Sequence, residues 1–511
     1  MTTARTRVLK DAYFDSVMLL GAARAMSEVE TVSWATAVMA TPANVESLGE
    51  EGFSVDGPAG SGDLVLAARA DTSDAADEAL SAGERTLREA RSATTDEPTA
   101  RSNRTLEEAV SRSPSANVAV VSVPGEYAAM EAHKALTAGL HVLLFSDNVP
   151  LDQEVELKDR AARLGRLVMG PGAGTAVLGG TGLGFANAVR GGRIGVVAAA
   201  GTGAQEVMSL LDRWGIGVSQ VIGVGGRDLS EPVGGQMAAL AVRALDADPD
   251  TDAVLLVSKP PSESVARTVT RQCDRKPLVT ALIGQDAWDD RPAGVEFAET
   301  LEQGAALVSA AVGAQAPDLA EGLPRQAEAA VKDLPSTRRS VRGYFSGGTL
   351  CSEAQVILTR HLGPVYSNVP LQEGRGLPAP AGSHILLDLG EEEYTKGRPH
   401  PMIDPAARIE VLRAEAGDPG VAVVLLDVVL GYGAHPDPAG VLAPVCAELM
   451  GDGGPRVVAY VLGTAGDPQG LDAQRNALEE VGCIVPATGA RAAHAAAAIA
   501  TRKPDIAEVV P

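Results

Sequence analysis

From residue 115 onward the chain alternates short apolar, β-branched runs with amphipathic segments, and glycine-bearing turns separate the two. This rhythm limits the fold more than any other feature. Runs such as Asn117–Val123 and His141–Phe145 are apolar on successive residues, so both of their faces must be covered. Covered strands alternating with helices pair in parallel. The first block adds Leu167–Met169, with helices over Ala128–Ala138 and Gln153–Arg163. A second block places strands at Ile194–Ala198, Gln220–Val224, Ala253–Val257 and Pro277–Ala281. A third places them at Gly343–Phe345, His384–Leu389, Val421–Leu426, Arg456–Leu462 and Cys483–Val485. Ahead of them, strands near Thr6–Lys10, Thr31–Met39 and Asp63–Ala68 alternate with helices at Ser16–Met26 and Ser73–Ala93. Thr41-Pro42-Ala43-Asn44 opens a short helix between them, and the polar stretch 94–114 reads as a linker. The expectation is an α/β protein: a small N-terminal α/β domain and linker at 1–112, then parallel-sheet domains at 113–191, 192–336 and 337–511.

Charge narrows the function classes. Lys and Arg number 43 against 66 Asp and Glu, a net charge of −23. No basic surplus exists to displace counterions from nucleic acid or to hold an anionic membrane surface. A small anionic substrate stays open, because backbone N–H groups bind anions locally. The four cysteines are scattered without a CxxC, which fits a reducing compartment and gives no expectation of a metal. No apolar run reaches the length of a membrane span, and Met1–Lys10 lacks the apolar core of a secretory signal, so a cytoplasmic protein is expected. Apolar, alanine-rich helices leave room for a homo-oligomer.

Two segments share one device. Gly201-Thr202-Gly203 follows an apolar strand and opens a helix, and so does Gly347-Gly348-Thr349. Glycine lets the backbone approach an anion while the helix start supplies free N–H groups; a tight turn with no ligand would use the same residues. Neither segment matches GxGxxG or a P-loop. Two such helix starts in two domains suggest one phosphate-bearing ligand held between them. Arg227 and Asp228 follow a strand in Gly225-Gly226-Arg227-Asp228, where Arg227 forks onto an anion or pairs locally while Asp228 caps a helix. Lys259 stands at another strand end, in Ser258-Lys259-Pro260-Pro261, where α/β sheets place ligands; a surface lysine ahead of prolines is the alternative. The stiff segment Gly397–Pro405 displays Arg398, His400 and Asp404, with His400 suited to general acid–base work. His435, in a second Pro-rich loop, is a candidate to converge with His400. Cys351, in the first turn after the Gly loop, is either a minor nucleophile candidate or a small buried residue.

From about 115 to 315 the chain resembles the α subunit of succinyl-CoA synthetase, on Gly170-Pro171 and the Gly201–Glu206 turn. From about 340 to 505 it resembles the C-terminal domain of the β subunit, on Gly347-Gly348 and Asp388-Leu389-Gly390. The order Gly125-Glu126-Tyr127-Ala128, Phe145-Ser146-Asp147-Asn148-Val149, Gly201-Thr202-Gly203, Gly225–Leu229, Val257–Pro261, Gly347–Leu350 and Gly397–Asp404 resembles the FdrA family over nearly the whole chain. That resemblance implies a Rossmann-like CoA-binding-type domain at 113–191 and two flavodoxin-like domains at 192–336 and 337–511. It implies a substrate or CoA-type ligand near Asp147, Asn148, Asp228 and Asp404. It also implies additional protein subunits, and either an acyl-CoA synthetase or a component of oxamate carbamoyltransferase (oxamate + carbamoyl phosphate = oxalurate + phosphate), an activity of purine-derived allantoin degradation.

Departures from the family matter as much. Nothing reads as an ATP-grasp domain, and no histidine lies between His141 and His361, so the stretch Ala293–Ala298 has none where the ligases carry a phosphohistidine. Gly172-Ala173 stands where relatives have Asp-Cys, and Ala200 where they have Ser. The expected function is therefore transfer of a carbamoyl or acyl group to or from phosphate. Gly201–Gly203 and Gly347–Thr349 would clamp the anion, Arg227 or Arg398 neutralise charge, and His400 shuttle a proton, with Lys259 a further catalytic candidate. A CoA-ligase subunit that borrows its ATP chemistry from a separate protein is the second expectation, and a diverged scaffold subunit the third. No cofactor is required, though CoA or another phosphate-containing ligand fits.

Overall fold

The computed structural model describes residues 2–508 apart from 11, 13, 15, 56–58, 61, 94–102, 104, 318, 320, 321, 396–398 and 416–417. It divides into two compact units, one of residues 1–104 with 395–399 and one of the remainder. In the first unit, Leu64–Ala70 is the central strand of an antiparallel sheet between Thr3–Leu9 and Val32–Met39. Leu64, Leu66 and Ala68 face one core with Leu19, Met26, Leu80 and Leu87 from the helices Ser16–Ser27 and Ser73–Ala93. Val65 and Ala67 face the other with Leu48 and Phe53, which is the period-two alternation of a sheet covered on both sides. The Thr41 hydroxyl accepts the Asn44 N–H at 3.3 Å and caps Pro42–Glu50, with proline in the first turn.

The second unit holds three sheets. Val118–Val121, His141–Leu144 and Val168–Met169 form a parallel sheet of three strands. A seven-stranded sheet runs Val295–Ala298, Leu278–Leu282, Ala253–Ser258, Gly191–Ala199, Val218–Gly223, Thr175–Leu178, Thr181–Gly184. Its first five strands are parallel; the last two are a hairpin added antiparallel to Val218–Gly223. This hairpin falls in the segment expected to close the preceding domain, and its pairing carries it into the larger sheet instead. A five-stranded parallel sheet follows, ordered Val365–Ser367, His384–Asp388, Ser340–Phe345, Val421–Val429, Arg456–Leu462. Ile484 adds only an isolated bridge to Val458, so the strand expected at Cys483–Val485 does not form.

The two large sheets share a core. Val196, Leu255 and Ala281 from one, and Val341, Leu425 and Val458 from the other, join the helix Gly489–Thr501. That helix is buried from Ala490 to Ala500 apart from His494, and its run of alanines lets its neighbours approach closely. In each sheet the chain leaves its central strand to one side and later returns on the other. Ligands gather at the carboxyl ends of strands around such reversals. The helices Gly201–Arg213 and Gly348–Leu362 start there, directly after Gly191–Ala199 and Ser340–Phe345.

Candidate functional site

The two Gly-rich helix starts meet. The Thr349 N–H faces the Thr202 hydroxyl at 3.3 Å, and both residues are buried. A side chain on Gly203 would come within 2.9 Å of Thr349 and Val257, and one on Gly347 within 2.8 Å of Thr202. The sequence carried a signal for this pairing: Gly-Thr followed four positions after the threonine by glutamate occurs as Gly201-Thr202…Glu206 and again as Gly348-Thr349…Glu353. One turn in, Glu206 and Glu353 lie buried in the seam with Glu302. Glu206 accepts from the Tyr460 hydroxyl and from the Gly489 N–H at 3.3 Å. Glu353 accepts the Leu301 N–H at 2.7 Å, and Glu302 pairs with Arg491 at 2.7 Å. Burial pushes the Glu206 carboxyl up to about 7 and the Glu353 carboxyl up to about 8.

The two starts differ in what their amides do. At the second, the carboxylate of Asp427, from the neighbouring strand, accepts the Ser346 N–H at 2.8 Å and the Gly347 N–H at 2.7 Å, and Arg408 backs it at 2.9 Å. A helix start leaves its first N–H groups without intrahelical partners, and here a protein carboxylate takes the place expected for a phosphate. The anion clamp read at Gly347–Thr349 is thereby reduced to the Gly348 N–H. At the first start, no acceptor for the Gly201, Thr202 or Gly203 N–H occurs among the described residues.

Lys259 reaches this junction from the end of Ala253–Ser258, the strand beside Gly191–Ala199. Its ammonium stands 3.6 Å from Asp388 and 3.7 Å from Glu391. Asp388 ends the strand next to Ser340–Phe345 and is 2% exposed. Burial pushes its carboxyl up to about 6, against the pull of Lys259. A side chain on Gly348 would come within 2.2 Å of Asp388 and 2.6 Å of Lys259, so only glycine lets this pair sit against the helix start. His400 lies close to Asp388: its Nε2 and the Asp388 Oδ1 lie 2.6 and 3.2 Å from where a Gly390 side chain would begin. Burial pushes the His400 imidazole below its ordinary value, while Asp427 and Asp147 pull it upward. Its Nδ1 accepts the Met402 N–H at 3.2 Å, which leaves the proton of the neutral ring on Nε2. The His435 N–H donates to the Met402 carbonyl at 2.8 Å, so the two Pro-rich loops adjoin through their backbones.

Other residues singled out from the sequence have different surroundings. Arg227 donates to Glu154 and to the Val149 carbonyl, both at 2.7 Å, instead of facing a helix start. Asp228 accepts Lys158 at 2.8 Å and the Ala238 N–H at 2.9 Å, near the start of Gln236–Ala247. Lys158 also pairs with Glu154 at 2.9 Å, which makes one buried network of Glu154, Lys158 and Asp228 with Arg227 at its rim. The partners that capture Arg227 lie 73 and 78 positions away in sequence, which is why local reading missed them. Asp404 accepts the Ala406 N–H at 2.9 Å, just ahead of the helix Ala406–Glu415. Asp147 and Asn148 are exposed; the Asn148 N–H donates to Asp147 at 2.8 Å, and Asn148 takes a left-handed φ of 56°. Arg398 lies outside the described residues. Cys351 is fully buried, and burial raises its thiol well above the ordinary value, against a role as nucleophile. Asp388 and Asp427 are the site residues that sequence reasoning undervalued. Asp427 stands inside an apolar run and Asp388 in the motif Asp388-Leu389-Gly390, and nothing local gave either one a role at the site.

Residues 344–499 match the family described as CoA-ligase. Residues 1–104 match the family described as AllF, heavy metal-associated domain. A subunit of an ADP-forming sulfoacetate-CoA ligase from Bilophila wadsworthia is 29% identical over 35% of this chain and 63% of its own length. The mitochondrial subunit alpha-2 of an ADP-forming succinate–CoA ligase from Trichomonas vaginalis is 28% identical over 36% of this chain and 60% of its own. The chain thus spans less than two thirds of these two ligase subunits. The heavy-metal description does not fit the residues present: positions 1–104 contain neither cysteine nor histidine, so no thiolate or imidazole is there to hold a soft metal ion. Among the described residues no helix is long and apolar enough to cross a membrane. YahF, an uncharacterized protein of Escherichia coli, is 42% identical over 73% of this chain and 74% of its own length, and with that breadth of match the chain belongs to the FdrA family.

Proposed function

We propose that the chain is the acyl-transferring subunit of a CoA-ligase-type enzyme, exchanging an acyl group between phosphate and CoA while a separate subunit performs the ATP-dependent step. The observation that carries this reading is the meeting of the two Gly-Thr helix starts beside Lys259 and Asp388 at the strand ends of two adjoining sheets. The Gly201–Gly203 amides supply a place for a phosphoryl group, and Lys259 a cation next to it. The match of residues 344–499 to the CoA-ligase family and the ligase subunits among the relatives support acyl transfer over the carbamoyl transfer favoured from sequence. The absence of histidine from residues 142–360 separates the chain from ligases that use a phosphohistidine there and favours direct acyl phosphate chemistry.

The test is ATP-free formation of acyl-CoA from CoA and acetyl, succinyl or sulfoacetyl phosphate, with the chain alone and with the proteins encoded beside it. Thioester formation is the expected result. A second reading, carbamoyl transfer to oxamate in a multi-protein enzyme, is favoured by the AllF-type match of residues 1–104. It predicts oxamate-dependent phosphate release from carbamoyl phosphate in the same preparations. Inactivity in both assays would leave the scaffold role.

A further inference from the structure

We propose that Asp388 is the proton-transferring catalytic residue of this site, with Lys259 holding the oxyanion that forms beside it. This rests on the group-transfer reading above and names the residue that would do its acid–base work.

Of the titratable groups around this junction, Asp388 and Lys259 are the ones against Gly348, and the others are otherwise engaged. Asp427 is spent: Oδ1 accepts the Ser346 N–H and hydroxyl and Arg408, and Oδ2 accepts the Gly347 N–H. His400 uses Nδ1 as an acceptor for Met402, so its neutral ring can only donate from Nε2. Cys351 is buried with its thiol driven toward the protonated form. Glu391 stands farther out, 3.7 Å from Lys259. Asp388 differs from all of these. Its Oδ1 accepts the Gly390 N–H at 3.0 Å, while Oδ2 has Lys259 as its neighbour at 3.6 Å, beyond hydrogen-bond range. The Asp388 N–H donates to Asn368 Oδ1 and the Asn368 amide donates back to the Asp388 carbonyl, both at 2.9 Å. The backbone is therefore pinned while one carboxylate oxygen faces the junction. A carboxyl titrating near 6 is suited to accept and return a proton at neutral pH.

A thiol attacks the carbonyl carbon of an acyl phosphate, and its S–H proton passes to Asp388 Oδ2 as the carbon–sulfur bond forms. The carbon–oxygen bond to phosphate then breaks, and the same proton leaves on phosphate as hydrogen phosphate. The Lys259 ammonium and the Gly348 N–H face the oxygen that carries the charge in between.

The experiment is the acyl phosphate plus CoA assay with whichever of acetyl, succinyl or sulfoacetyl phosphate is turned over, or the carbamoyl phosphate plus oxamate assay if that is the active one, followed from pH 5 to 8.5. The wild type is expected to show an acidic limb near pH 6. Asp388→Asn should lower kcat by about 10²–10⁴-fold and remove that limb. Lys259→Met should keep the limb and move it to higher pH, because the lysine charge favours ionised Asp388; Lys259→Arg should return it. Thermal unfolding shows whether Asp388→Asn is folded, and if it is not, the Lys259→Met shift decides. Asp388→Asn within threefold of wild type with the limb retained, or a limb unmoved in Lys259→Met, overturns the assignment while the reading stands. A wild type inactive in both assays overturns the reading, and the assignment with it.

Discussion

Replacing Glu206 by glutamine tests the seam between the two helix starts. Glu206 is buried on the Gly201–Arg213 helix, with Tyr460 and the Gly489 N–H donating to it. Burial is the largest cause of its raised carboxyl; Tyr460 and Arg213 oppose it, and Glu302 adds to it. A move from 4.5 to about 7 is about 2.5 units, or about 3 kcal/mol at about 1.4 kcal/mol per unit. The folded state binds this proton more tightly than the unfolded state does. Its stabilisation is therefore complete below pH 4.5 and is lost as the pH rises through about 7. Glutamine never ionises. At pH 5 Glu206→Gln should cost about 1 kcal/mol, because its amide N–H groups lack an acceptor. At pH 8.5 the loss of the wild type's proton-linked stabilisation should outweigh that cost and leave the variant more stable than wild type by up to about 2 kcal/mol, so the order of the two proteins reverses. Hydrogen exchange in the Gly489–Thr501 helix, which receives this carboxylate at its start, reads the local opening free energy at both pH values. A variant-to-wild-type difference that is the same at pH 5 and pH 8.5 would refute the claim that Glu206 is held protonated.

Gly348→Ala should push Asp388 and Lys259 apart, because the new carbon begins 2.2 Å and 2.6 Å from their polar atoms. A loss of about 1–3 kcal/mol in denaturant unfolding is expected, and wild-type stability would show that the pair does not rest on this glycine. Lys158→Met should cost about 3–5 kcal/mol, since it leaves Glu154 and Asp228 buried without their shared cation. A melting temperature within a degree or two of wild type would contradict the network. Zn(II) or Cu(I) added to the full chain should leave the hydrogen exchange of residues 1–104 unchanged, because that segment has no cysteine or histidine. Stoichiometric protection there would show a metal site built from other donors.

The layers and most of the strands follow from local pattern alone. Ser73–Ala93 and Arg456–Leu462 begin and end where the apolar pattern puts them, and the apolar run around Val421–Leu426 forms the fully buried strand Val421–Val429. Period and turn chemistry are local, so they survive without knowledge of the fold. The hairpin Thr175–Leu178 and Thr181–Gly184 and the short edge strands Val295–Ala298 and Val365–Ser367 escaped notice, because segments of three or four residues are held by their neighbours' ladders and carry little pattern of their own. The site divides in the same way. Gly201–Gly203, Gly347–Thr349, Lys259 and His400 were legible because glycine turns and charged residues at strand ends stand out locally. Which charges meet depends on how the sheets pack. Arg227 was drawn to Glu154, while Asp427 took the N–H groups of Ser346 and Gly347 from a strand about 80 positions away. Asp388 was brought to Lys259 across 129 residues of chain. Electrostatic partners act through space over a few ångströms, and a sequence does not contain those distances until its sheets have been ordered.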